Sequence, residues 1–158
     1  MFLIPALLVV LPTLAGALSN AAAVPQALSP DMQEAKGSFD VSAKPNAGIE
    51  GPVGVLALTK VYHGDLEASA TGQMLGSGDP AGGTASYVAL EQVTGTLDGR
   101  KGSFTLQHIG SMGYGKQDMN AVIAPGSGTG DLKGIGGRLE IIIEGGKHRY
   151  VLHYTLPK

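Results

Sequence analysis

The 158-residue chain has no cysteine, no tryptophan and only three phenylalanines, and charged side chains make up just 15% of it. Without thiols there is no disulfide, thiolate metal site or cysteine nucleophile, so packing and backbone hydrogen bonds must hold the fold. The four histidines are scattered, with neither H-x-H nor H-x-x-x-H spacing, so no dedicated metal site and no cofactor is expected. The net charge of −2 comes from interspersed signs, which gives no electrostatic footprint for nucleic acid or an anionic membrane.

Charge is missing altogether between positions 2 and 30. Residues 2–11 are almost wholly apolar before Pro12 breaks the run, a length that suits a signal-peptide core and is short for a membrane span. Ala15-Gly16-Ala17 and Ala21-Ala22-Ala23 both fit the small-residue pattern a signal peptidase requires. The expectation is a signal peptide over 1–23, a flexible lead over 24–34 and one domain over 35–158, exported to the periplasm or beyond, with no stable membrane insertion after cleavage. The competing reading, a buried helix, would be interrupted by Pro5, Pro12 and Gly16.

The remainder alternates with period two between glycine-rich turns. Strands are predicted over 35–41, 53–63, 66–75, 85–97, 102–110, 117–125, 138–144 and 147–156. Several run to about ten residues, a length that makes exposed edges hazardous, and closure removes edges. The predicted fold is therefore all-β, a single closed antiparallel eight-stranded barrel. Gly126-Ser127-Gly128-Thr129-Gly130 lacks the Gly-Lys-Ser/Thr ending and following helix of a phosphate loop, and reads as a loop that closes the barrel.

Four ordered segments carry a family resemblance: Val61-Tyr62-His63-Gly64-Asp65-Leu66, Tyr87-Val88-Ala89-Leu90-Glu91, the run from Gly95 through Asp98-Gly99-Arg100-Lys101 to His108, and Pro125-Gly126-Ser127-Gly128-Thr129-Gly130-Asp131-Leu132. Over nearly all of 35–157 the chain resembles domain-of-unknown-function family 3224. The resemblance implies a small barrel similar to that of allene oxide cyclases, and it implies little about reaction.

Among the strands, Tyr87, Ala89, Glu91 and Val93 share one face, and Phe104, Leu106 and His108 share another; both faces are expected to point inward. A four-residue turn over 98–101 sets Glu91 opposite His108, and a turn two residues longer makes them diagonal neighbours. A buried carboxylate beside an imidazole can satisfy itself, orient a ligand or move protons. Glu91 and His108 are thus the candidate catalytic residues, and Tyr87, Glu91, Phe104, Leu106 and His108 the candidate ligand-binding set. Phe39, Leu106, Ile141 and Ile143 would serve as walls. His63, at a turn, reads as a solvated capping residue, and His148 and His153 have opposite parity.

The leading functional expectation is an exported barrel binding a small apolar molecule. The alternatives are a cyclase or isomerase acting on a reactive substrate inside the barrel, and an assembly module with a filled core. Leu56, Leu58, Val88, Leu90 and Ile142, read as outward-facing, suggest a homo-oligomer.

Overall fold

The glycine-punctuated alternation becomes eight antiparallel strands in the computed structural model, which describes residues 31–46 and 51–157. They are β1 (Gln33–Pro45), β2 (Gly54–Gly64), β3 (Leu66–Asp79), β4 (Thr84–Leu97), β5 (Arg100–Gly113), β6 (Lys116–Ile123), β7 (Gly136–Glu144) and β8 (Lys147–Thr155). Each pairs with the next, and β1 returns to β8 from Gln33–Tyr154 to Phe39–His148, closing the barrel. β1 begins two residues before the predicted domain start, at Gln33. The predicted signal peptide and most of the predicted lead lie outside the described residues. No helix among the described residues is long and apolar enough to cross a membrane.

The β4–β5 connection fixes the register at the barrel's centre. It is a two-residue turn, because Asp98 and Gly99 both adopt positive φ (47° and 80°), the combination whose twist suits a tight hairpin. Leu97 therefore faces Arg100, and Arg100 and Lys101 belong to β5. This corrects the four-residue turn: Glu91 lies opposite Leu106 and His108 opposite Ala89, so Glu91 and His108 are diagonal neighbours. Gly99→Ala is expected to lower stability by about 1–2 kcal/mol through the strained left-handed conformation alone, since a Cβ there meets nothing within 4 Å. A urea midpoint unchanged from wild type would refute it.

One half of the barrel is filled. Leu66, Val93, Leu97, Phe104, Tyr150, Leu152 and Tyr154 pack there, each no more than 1% exposed. The chain segment after β6 seals this end. It continues along β5 where β6 stops: the Ala124 and Thr129 amides donate to the Thr105 and Ser103 carbonyls at 2.8 and 2.9 Å. The Ser127 and Thr129 hydroxyl oxygens accept from the Thr105 and Ser103 amides at 3.0 and 3.1 Å. So anchored, the segment carries Leu132 and Ile135 into the core cluster, as a closing loop should.

Leu58 corrects another expectation. It faces inward and is buried, and Leu56 shares its parity opposite inward-facing Met74. Val88 and Leu90 do face out, at 46% and 56% exposure.

Candidate functional site

At the other end the interior is unfilled. A cavity of about 190 Å³ opens at the mouth, and all eight strands line it. Its walls are mainly apolar: Phe39, Leu58, Met74, Ala89, Met119 and Ile141. Lys60, Tyr87, His108 and His148 are the polar groups that reach it. Larger depressions over Leu75 and Val88 lie on the outer, sheet-facing surface and contain no converging charged groups.

The floor between mouth and filled core is a cluster of four polar side chains from four positions of like parity. Lys60 and Tyr62 lie two apart on β2, Glu91 on β4 and His108 on β5. All four are buried, with Lys60 and His108 at 6% exposure and Glu91 at 1%. The Glu91 carboxylate is the hub. The Tyr62 hydroxyl donates to its Oε1, Lys60 Nζ sits 2.7 Å from its Oε2, and His108 Nε2 lies 3.5 Å from the same oxygen. Lys60 also sits over the faces of Phe39 and Tyr62, 4.9 and 5.8 Å from the ring centroids. Such cation–π contacts recover part of what burial costs an ammonium.

These charges decide the protonation of the hub. Burial pushes the Glu91 carboxyl upward, but the His108 imidazole and the Lys60 ammonium beside it outweigh that and hold the pKa down, at about 2. Tyr62 is displaced upward by burial and then by the carboxylate it bonds. Tyr87 shifts upward for the same two reasons, burial first. Near neutral pH the floor therefore holds an ionised carboxylate, and both phenols keep their protons.

Tyr87 owes its pose to a glycine. Gly110 lies directly across the β4–β5 ladder from it, and a Cβ there would fall 2.3 Å from the ring and 2.9 Å from the hydroxyl oxygen. The ring occupies the space a side chain would take.

Of the predicted set, Tyr87 and His108 line the cavity, while Glu91 lies beneath it, behind Lys60. Phe104 and Leu106 face inward as expected but belong to the filled core. Phe39, Ile141 and Ile143 are walls, Ile143 at the rim with 46% of its surface exposed. Lys60 and Tyr62 were absent from the predicted site. His63 is exposed, between Asp40 and Glu67. His153 points away from the cavity, with Nδ1 3.3 Å from Glu34 and Nε2 3.7 Å from Glu140.

The sequence matches the model of a family described as "Protein of unknown function (DUF3224)" over residues 35–154. Among solved structures, the chain is similar to a protein of unknown function from the DUF3224 family of Shewanella oneidensis MR-1. That match has 41% identity and a TM-score of 0.74, covering 80% of this chain and 98% of that one. A search of curated proteins finds no match. With the barrel, its motifs and a solved relative in agreement, the chain belongs to the DUF3224 family.

Proposed function

We propose that the protein is an exported binder of a small, mostly apolar molecule held in the barrel mouth. The observation that carries the reading is the contrast within one barrel: one half is packed with aromatic and aliphatic side chains, while the other leaves about 190 Å³ open above a buried polar floor. Apolar walls with a few convergent polar groups are the usual make-up of a small-molecule site, and this volume falls below the about 300–1,000 Å³ typical of drug-sized ligands. Binding is favoured over proton transfer because Glu91 is held ionised and lies behind Lys60. A carboxyl poised as acid or base near neutral pH would be shifted the other way. The export half of the proposal rests on the charge-free apolar opening of the chain.

Native mass spectrometry on protein purified gently from the cells that make it tests both halves. The expected result is a discrete extra mass released on denaturation and missing from Met74→Trp, whose indole would fill the mouth. The denatured mass should also correspond to a chain starting at Val24. A retained extra mass in Met74→Trp would place the ligand elsewhere, and an intact amino terminus would defeat export by cleavage.

A further inference from the structure

We infer that the ligand presents a neutral oxygen acceptor, the carbonyl of a ketone, aldehyde, ester or lactone, to the floor of the mouth, with its apolar part toward the rim. The inference rests on the binding reading above and deepens it to a ligand class.

The hydrogen-bonding inventory of the floor sets the polarity of the ligand's inner end. Glu91 is its strongest acceptor: Oε1 accepts from Tyr62, and Oε2, without a hydrogen bond of its own, is ion-paired with Lys60 at 2.7 Å. The floor groups left facing the cavity are donors, and His148 stands at the rim, across from Ile143. Lys60 has three N–H groups, of which one makes a long 3.5 Å bond to the Tyr62 oxygen, while the ammonium as a whole is ion-paired with Glu91. His108 is only 6% exposed, and its Nε2 has no hydrogen-bond partner. Beside a carboxylate that nitrogen is the one that carries the proton, and at 3.5 Å the N–H is left unsatisfied. Tyr87 lines the same cavity, and its hydroxyl makes no hydrogen bond among the described residues. A buried donor without an acceptor is costly, and the His108 N–H is one, so with Lys60 and Tyr87 adding donors to the same chamber the site calls for an acceptor from outside.

Charge then chooses among acceptors. The Lys60 ammonium and the Glu91 carboxylate of the floor are already matched to each other at 2.7 Å. A carboxylate entering beside them would find the ammonium already paired and would sit near the charge of Glu91, in a site that excludes most water. A neutral carbonyl accepts the same hydrogen bonds without that penalty. The cavity size and the walls Phe39, Leu58, Met74, Met119 and Ile141 set the remainder as a short aliphatic chain or a single ring.

The probes are 2-heptanone carrying ¹³C at the carbonyl, heptanoate, and toluene as a hydrocarbon without an acceptor, each titrated into the full-length mature protein at pH 7.5 and followed by ligand-observed NMR. The expected result is that the ketone binds at least about tenfold tighter than toluene, the worth of one good hydrogen bond, and tighter than heptanoate, whose charge must be desolvated. Its carbonyl resonance should move downfield on binding. Tyr87→Phe and His108→Phe should each reduce that shift, provided circular dichroism shows them folded. Binding of toluene and ketone alike with no carbonyl shift, or of heptanoate as tightly as ketone, would overturn the carbonyl assignment and leave the cavity reading standing. If none of the three binds, both fall.

Discussion

Glu91→Gln is expected to destabilise the barrel by about 3–5 kcal/mol, because it strands the Lys60 ammonium in the interior without its counter-charge. Two ions taken out of water lose several kcal/mol of hydration each, and only their mutual attraction and added hydrogen bonds offset the loss. Lys60 and Glu91, both buried, satisfy that condition through the 2.7 Å contact, the Tyr62 hydrogen bond and the two aromatic faces. Removing one partner leaves the cost and cancels the gain. The double variant Lys60→Met/Glu91→Gln should recover most of the loss, since the glutamine carbonyl still accepts from Tyr62 and no charge remains inside. Urea unfolding of the three proteins measures the cycle. If the single variant loses less than about 1 kcal/mol, water reaches Lys60 freely and the floor is not the dry site described. A double variant that unfolds as readily as the single would assign the loss to packing instead.

The residues missed and found in the sequence follow from what period-two patterning can report. In β4 and β5, one parity is rich in Val, Ala, Phe and Leu, so the inward faces of Glu91 and His108 are legible by association with their neighbours. In β2 both parities carry apolar residues, Val55 and Val61 on one and Leu56, Leu58 and Tyr62 on the other. Lysine at position 60 then argues for the wrong side, because buried lysine is rare. The signal that could have placed it is the hairpin at Gly64-Asp65. Alternation in β3 identifies Ala68, Ala70 and Gly72 as one face, and the ladder pairs these with Tyr62, Lys60 and Leu58. Register carried across the turn outweighs composition within the strand.

The turn length misled for a related reason. Arg100 and Lys101 look like turn residues by charge, whereas Asp98-Gly99 is by itself a complete hairpin signal. The division of the barrel into a filled and an open half was not legible, because the residues that seal it, Leu132 and Ile135, come from a glycine-rich segment with no period of its own. Its anchoring depends on Ser127 and Thr129 meeting β5 more than twenty positions back along the chain.

Acid should remove from the wild type about 3 kcal/mol of stability that Glu91→Gln does not have to lose, the folded pKa of about 2 lying well below the ordinary 4.5 of the same carboxyl. The sign follows from proton uptake. Between those two values the unfolded chain binds a proton at Glu91 and the folded chain does not, so lowering the pH draws the equilibrium toward the unfolded state. The contribution is fully present above about pH 4.5 and is lost as the pH falls through about 2. Other carboxylates titrate in the same window, among them Glu34, which its exposed pairing with Lys36 also holds low, so the wild-type curve alone does not isolate Glu91. The difference between wild type and Glu91→Gln does, because the remaining carboxylates are common to both. Unfolding free energies measured at intervals from pH 7 to pH 2 should therefore converge, the wild type falling toward the variant. Two parallel curves would mean that Glu91 takes up its proton at the same pH in both states. In that case the ionised hub would be lost as an argument, and with it the preference for binding over proton transfer.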